Sequence, residues 1–369
     1  MGSTQAPKVA IVCDWLTGIG GAERVVLQLH KLFPDAPIYT SQYNPEKIDW
    51  FKDADVRTTW LQKLPSGLKK FLPLLRIVAF STLNLKGYDL VISSSGAEAK
   101  GVRTPKKTLH INYCHSPTHY YWSRYDSYIK NPNFPTGFNW LARITLRVLV
   151  GPLRHWDKRA AQRPQIILVN SRHIQAQVKK YYGRDSQVVP PPVDNKRFAT
   201  TAQRVRSGFV VTGRQVAYKR IDLAVRACSE LGLPLKVIGN GPEHHKLVSA
   251  AGPTVEFLTN VSDADMPYYF QTAEAFLFPG LDDFGITPVE AMAAGTPIIA
   301  YQAGGALDYV VPSKTGIFMK QQSVKGLKEA LENFKTVAFD PKIITKASQQ
   351  FSPEAFNKHI ADLINQRIK

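Results

Sequence analysis

"KVAIVCDWLTGIGGAERVVLQLHKLF", residues 8–33, runs from a short apolar stretch of strand type through a glycine turn into a helix. Val25, Val26, Leu29 and Leu32 share one face of that helix. A strand feeding a tight turn and then an amphipathic helix predicts a parallel βαβ unit. Further strand candidates follow: "APIYTSQY" (36–43), "DLVISSSG" (89–96), "TLHINYCHS" (108–116) and "QIILVNS" (165–171). The last of these ends at Ser171, placed to cap the helix "RHIQAQVKKYYG". The first half is therefore expected to be an α/β domain around a parallel sheet.

At "QVVPPPVDNKRF" (187–198) the alternation stops, because three successive prolines fix φ and lack donors. This segment is expected to be the interdomain linker. A second alternation then begins with "GFVVTGR", "RIDLAVRACSELG" and "LKVIGNGPE". It continues through "AEAFLFPG", "TPVEAMAAG" and "PIIAYQAGG". Two Rossmann-like domains follow from this, one over 1–187 and one over 188–352. The closing helix, 353–369, carries Phe356, Ile360, Leu363 and Ile364 as an apolar face and is expected to dock back on the first domain.

The bulk numbers agree with two soluble domains. The 369 residues are 44% hydrophobic and hold no apolar run of membrane-spanning length. The start, "MGSTQAPKVAIVCDW", lacks the layout of an export signal, and Ala6 stands where a myristoylation signal wants Ser or Thr. Cys13, Cys114 and Cys228 are spread apart without a CxxC, as expected of buried thiols in a reducing compartment, so a cytoplasmic protein is expected. The net charge of +18 is unevenly placed. Residues 1–185 hold 27 Lys and Arg against 12 Asp and Glu, while the remainder holds 20 against 17. A field confined to one half suggests an anionic counterpart there: nucleic acid, a phosphate-bearing substrate or a membrane surface.

Several motifs fall where strands end, which is where α/β sheets bind ligands. In "LDDFGITPVE" (281–290), Asp282 and Asp283 lie on a loop, and Gly285 lets the chain double back. Thr287 is expected to cap a helix beginning at Pro288, with Glu290 in its first turn. Carboxylates so placed can accept hydrogen bonds from sugar hydroxyls, or simply cap the helix and meet solvent. "TGRQVAYKR" puts Arg214 and Lys219 just past a strand, cations suited to a diphosphate or to a solvated loop. "TGIGGAE" brings Gly20 and Gly21 to a helix start that attracts anions, though Glu23 spoils the dinucleotide fingerprint. "SDADM" reads as Ser262 and its acids capping a helix rather than holding a metal. His115 in "NYCHSP" follows a strand, with structural and functional roles both open.

Taken together these residues resemble the retaining, sugar-nucleotide-dependent GT-B glycosyltransferases of family four. The likeness covers nearly the whole chain and is strongest from Gly213 to Gly305. "CHSPTHYYW" and "ITPVEAMAAGTPIIAYQAGG" are most similar to mannosyltransferases of surface-polysaccharide pathways. The resemblance implies two Rossmann-like domains facing a central crevice, the first binding the acceptor and the second the nucleotide sugar. It places Arg214 and Lys219 on the donor diphosphate, with Gly20 and Gly21 close by. Glu290 would hold the ribose hydroxyls, Asp282 would meet the donor sugar, and Phe284, Gly285, Ile286 and Thr287 would line the donor between them. His115 would stand near the transferred sugar. Asp282 is one methylene shorter than the family's glutamate. The resemblance further implies catalysis without an enzymic nucleophile, without a metal and without a cofactor beyond the donor itself, the two halves closing about the proline linker.

Two basic stretches of the first half suit a membrane interface or ordinary solvated helix faces. "SGLKKFLPLLRIVAF" sets Leu68, Leu72 and Leu75 on one side, with Lys69, Lys70, Pro73 and Arg76 on another. "NWLARITLRVLVGPLRHWDKRA" spaces Arg143, Arg147, Arg154 and Lys158 beside Trp140 and Trp156, with Gly151-Pro152 expected to break the helix. These stretches and the charge lead to an expected location on the inner face of the cell membrane, with a lipid-linked acceptor. The rival readings are a sugar-nucleotide epimerase of the same fold and a basic nucleic-acid binder. No recognised nucleic-acid motif supports the latter, and nucleic acid is not expected as a partner.

Overall fold

The computed structural model describes residues 7–64, 73–130, 139–199 and 204–367. The chain divides into two units, Met1–Pro191 with Asn357–Lys369, and Pro192–Phe356. The sequence reading put these breaks after 187 and 352, four residues earlier in each case.

In the first unit seven strands form one parallel sheet. They are β1 (Val9–Cys13), β2 (Ile38–Thr40), β3 (Val56–Thr58), β4 (Leu90–Ser95), β5 (Leu109–Cys114), β6 (Ile166–Val169) and β7 (Gln187–Val188). Their order is β3-β2-β1-β4-β5-β6-β7, so the chain winds outward from β1 in both directions. Every residue of β1 and β4 is buried, as both-face burial of a parallel sheet requires. The short edge strands β3 and β7 are absent from the sequence reading, and β7 lies inside the stretch read as linker. Ser171 caps the helix Arg172–Tyr182 as expected, its Oγ accepting the Ile174 N–H at 3.1 Å. The helix Pro353–Asn365 buries Phe356, Ile360, Leu363 and Ile364, and Gln28 donates to Asn357 Oδ1 at 2.8 Å.

Both basic stretches depart from expectation. Asn139–Ala160 is one helix that runs through Gly151-Pro152. Proline there forfeits the bond to the carbonyl of Val148, but Val148 is 69% exposed, so water can satisfy that group. In the helix Pro73–Ser81, Arg76 turns inward and is only 4% exposed. The outward side chains are instead Leu74, Leu75 and Val78. Buried Glu98 is the cause, since an uncompensated carboxylate in the core would cost several kcal/mol. Leu68, Lys69, Lys70 and Leu72 lie outside the described residues.

The second unit is built on β8 (Phe209–Thr212), β9 (Leu235–Ile238), β10 (Val255–Leu258), β11 (Ala275–Phe278), β12 (Ile298–Tyr301) and β13 (Gly316–Met319). All pair in parallel in the order β10-β9-β8-β11-β12-β13, again doubly wound. Alternation along β11 shows how the sheet serves two cores: Ala275 and Leu277 enter one cluster, Phe276 and Phe278 the other. The three cysteines are buried and free.

Candidate functional site

In a doubly wound sheet the loops part where strand order reverses, and a crevice opens beyond the carboxyl ends there. In the second unit that point lies between β8 and β11. The loop after β8 carries exposed Arg214 and half-covered Lys219, and the loop after β11 carries Gly280 and Asp282. Lys219 Nζ lies 3.4 Å from Asp282 Oδ2. A methyl group on Gly280 would come within 2.7 Å of the Lys219 main chain, so only glycine lets the two loops touch. Thr212, Lys219, Phe278, Gly280 and Asp282 line a small pocket. Behind Arg214, fully buried Gln215 donates to the Gly239 carbonyl at 2.7 Å and pairs with His244 Nδ1 at 2.8 Å. That anchor was not legible in the sequence.

The acid-bearing loop is fixed by its own backbone. Asp283 N–H donates to Asp282 Oδ1, and Gly305 N–H to the Asp282 carbonyl, both at 3.0 Å. Gly285 takes φ 85°, and a side chain there would strike Phe278 and Tyr309 at 2.8 Å. This positive φ starts the helix Ile286–Ala293 with Gly285 itself as cap. The expected cap at Thr287 is therefore corrected. Thr287 and Pro288 lie inside the first turn, where proline costs no bond, and Glu290 lies one turn in, 7% exposed. Phe284 is buried beneath the same loop. Its ring packs edge-on against Tyr309 and Phe351, each at 5.6 Å, leaving only its main chain to offer a ligand. Among the described residues no three His, Cys, Asp or Glu gather as a metal site would need. Asp263 pairs with Arg197, and the Ser262 hydroxyl takes the Asp265 N–H at 3.2 Å just before the helix Met266–Thr272.

The first unit reverses strand order between β1 and β4, and here the sequence reading missed the organiser, Asp14. Its carboxylate accepts the N–H groups of Gly96, Ala97 and Ala99 at 2.8–3.0 Å and the Ser95 hydroxyl at 3.1 Å. An aspartate immediately after an apolar strand was the available signal. Gly20 is extended at the start of the helix Gly21–Leu32, and the acid of its first turn, Glu23, lies 2.7 Å from where a Gly20 Cβ would stand. His115 follows β5, half-buried, with Ser94 Oγ 2.8 Å from its Nε2.

Below the "HSPTHYYW" turn lie two buried ion pairs, Arg76–Glu98 at 2.6 Å and Lys100–Asp157 at 2.7 Å. Glu98 also accepts from Tyr120 at 2.6 Å and Tyr121 at 3.3 Å. Asp157 accepts from Trp122 and Tyr182 at 2.7 Å and from Thr118 at 3.0 Å. Burial first, and then these carboxylates, hold the three phenols well above their ordinary range, so they serve as donors. Burial alone would depress the Lys100 ammonium, but Asp157 more than reverses that and keeps it charged. Of the other basic residues named from sequence, Arg143 donates to the Ile129 and Lys130 carbonyls at 3.0 Å, and Arg147 is exposed.

Residues 193–351 match the family described as glycosyl transferases group 1. The chain has the GT-B fold, and its second unit is similar to glycosyltransferases that resemble family four. A GDP-mannose-dependent alpha-(1-6)-phosphatidylinositol monomannoside mannosyltransferase of Mycolicibacterium smegmatis is 27% identical over 205 residues, 47% of this chain and 54% of that protein. The chain thus spans about half the length of that curated relative. The fold also matches sucrose-phosphate synthase from Thermosynechococcus elongatus, with TM-score 0.72 at 19% identity over 97% of this chain and 98% of that one. Anabaena HepE in complex with UDP gives TM-score 0.70 at 17% identity over 97% and 100%. Lys219 and Asp282 both fall inside the segment of this GT-B chain that matches group 1.

Proposed function

We propose that this chain transfers a sugar, mannose from GDP-mannose by preference, to a saccharide or lipid-linked acceptor with retention of anomeric configuration. The observation that carries the reading is Lys219 beside Asp282 at the strand-order reversal of a unit that matches group 1. Arg214 and Lys219 stabilise the charge that grows on the departing diphosphate, assisted by the helix start at Gly20-Gly21. Glu290 accepts hydrogen bonds from ribose hydroxyls, and Asp282 meets the donor sugar, flanked by Gly285, Ile286, Thr287 and the Phe284 main chain. His115 stands near the sugar's reacting carbon. The acceptor hydroxyl attacks on the face from which the diphosphate leaves, with no metal or cofactor. The choice of GDP-mannose rests on the named activity of the relative in Mycolicibacterium smegmatis. A thermal-shift panel of GDP, UDP, ADP and their sugars is the test, since a ligand at 100 times its Kd adds roughly 2.7 kcal/mol. Products are then read by NMR. An α-linked product from an α-linked donor supports the reading; an isomerised sugar nucleotide would favour an epimerase and overturn it.

A second part of the proposal concerns location. Leu74, Leu75, Val78, Trp140, Leu141, Ile144 and Val148 are each 39–69% exposed, on two helices that both pack on the turn Ala99–Gly101. Apolar faces of this size, with exposed Arg147 among them in the basic part of the chain, suit an anionic bilayer. Among the described residues no helix is long and apolar enough to cross a membrane. In this reading the protein lies peripherally on the cytoplasmic face of the cell membrane, where a lipid-linked acceptor would be met, and nucleic acid is no part of its function. Flotation with phosphatidylglycerol-rich and with neutral liposomes tests this. Binding should favour the anionic vesicles, fall with salt, and be lost on replacing Trp140, Ile144 and Val148 by Ser. Binding indifferent to those replacements would end the membrane reading.

A further inference from the structure

Three arginines of the first unit gather at the amino ends of β5 and β6, the edge opposite the one that carries His115. The approaches to these two paired strands, 102–108 and 161–165, are laced together. Gln165 Nε2 donates to the Thr108 carbonyl at 3.2 Å, and its Oε1 accepts the His110 N–H at 2.8 Å. Arg184 holds the second approach from outside, donating to the Ala161 and Pro164 carbonyls at 3.0 Å.

Arg103, Arg159 and Arg163 stand on this platform. Arg163 Nη1 donates to the Gly101 carbonyl, two residues before Arg103, and two residues of chain span at most about 7 Å. Arg159 lies in the last turn of the helix Asn139–Ala160, and its carbonyl accepts the Gln162 N–H at 3.1 Å in the bend that leads to Arg163. Arg103 and Arg159 are exposed, and Arg163 is half-buried.

No acid joins the group. The chain carries no Asp or Glu between Glu98 and Asp126, or between Asp157 and Asp185. Glu98 is paired with Arg76, Asp157 with Lys100 and Asp185 with Lys179. Among the described residues, none of the three arginines pairs with a carboxylate. Burial first, and then Arg103 and Arg159, push the Arg163 guanidinium below its ordinary range, so their mutual repulsion is not neutralised within the chain. A helix C-terminus favours a cation, which accounts for Arg159 but not for the other two. Exposed Lys106, Lys107 and Lys158 flank them and add to the same field.

We propose that Arg103, Arg159 and Arg163 form a phosphate-binding site, distinct from the loops of Arg214 and Lys219, that takes a phosphoryl group carried by a soluble molecule or by a lipid headgroup. Guanidinium groups are planar donors whose paired N–H groups match two oxygens of one phosphate. An anion shared by three of them removes the repulsion that the chain leaves standing. The site does not depend on the transfer reaction, and its failure would leave the reading of the second unit untouched.

The test compares the full chain with Arg103→Gln and Arg159→Gln, replacements at exposed positions that should leave the fold intact. All three chains keep Arg214 and Lys219, so whatever phosphate does at those loops cancels in the comparison. The Nε–Hε NMR signals of Arg103 and Arg159, recognised as those missing from each variant, report the site itself. They should shift as pyrophosphate is added to the unaltered chain. In Arg103→Gln the Arg159 signal should need at least about tenfold more pyrophosphate, the loss expected for one charge-assisted bond. Melting in sodium chloride should be no lower in the variants than in the unaltered chain, because like charges have been separated, and pyrophosphate should raise the unaltered chain's Tm the most.

Flotation with phosphatidylglycerol vesicles separates the two sources, with Lys52→Gln showing the effect of one exposed charge lost elsewhere in the unit. Signals that titrate with pyrophosphate, beside flotation no weaker than that of Lys52→Gln, assign the site to a soluble phosphate. Signals indifferent to pyrophosphate, beside flotation several-fold weaker than that of Lys52→Gln in both variants, assign it to a headgroup. A response in both arms gives a site open to either. Indifferent signals together with flotation matching Lys52→Gln overturn the proposal. Variants that melt lower in chloride and answer pyrophosphate as the unaltered chain does would mark the arginines as structural, and would also overturn it.

Discussion

Lys219 Nζ stands 3.4 Å from Asp282 Oδ2, so a cation and an acid from two different strand ends neutralise each other before any ligand arrives. A diphosphate must compete with Asp282 for that lysine. In Asp282→Asn the competition disappears while the sugar contact is weakened. GDP should bind up to about fivefold more tightly to this variant, in keeping with up to about 1 kcal/mol for a partly exposed pair, yet transfer should be slower. Calorimetry with GDP and a rate measurement check the two halves. Weaker GDP binding would show that Asp282 does not oppose the diphosphate.

Glu290 is 7% exposed on the helix that Gly285 starts. Glu290→Gln keeps its size and removes its charge. Nucleotide binding should weaken by about 1.5–3 kcal/mol, the worth of a hydrogen bond to a charged group. Titration with GDP measures it, and undiminished affinity would remove Glu290 from the ribose.

Arg76 and Arg147 should answer the same substitution in opposite ways. Arg76→Gln leaves Glu98 buried without its ion-pair partner, 2.6 Å from where the guanidinium was, and should cost about 3–5 kcal/mol of stability. Arg147→Gln, at an exposed position, should stay within about 0.5 kcal/mol. Urea unfolding of the two variants separates buried charge from surface charge.

His110 gives the protein a pH dependence of known sign. Its folded pKa is lowered to about 3 by burial and then by Arg163, while the unfolded chain protonates near 6.5. The unfolded state therefore binds a proton that the folded state refuses. Stability from this group is complete above about 6.5 and falls by roughly 1.4 kcal/mol per pH unit between there and about 3. Denaturant midpoints from pH 7 to 4 should show that slope, and His110→Gln should flatten it.

The Ser94–His115 pair, the Lys219–Asp282 pair and the inward turn of Arg76 mark how far the sequence reaches. Periodicity gave the doubly alternating chain, the proline-rich break and the terminal helix, because an apolar repeat of two or of 3.6 is a local property of neighbours. Glycines and charges beside strand ends pointed to Arg214, Lys219, Asp282 and Glu290, since a strand's carboxyl end is also locally legible. Which of them touch was not legible, and neither were Asp14 and Gln215. Their partners lie 24 to 85 residues away along the chain and become neighbours only when the sheet forms. The sequence likewise set Arg76 on the basic side of its helix, and Glu98, 22 residues on, drew it inside. A helix chooses its outward face by what the rest of the fold buries beneath it. Here an acid with no water of its own outweighed the exposure of Leu74, Leu75 and Val78.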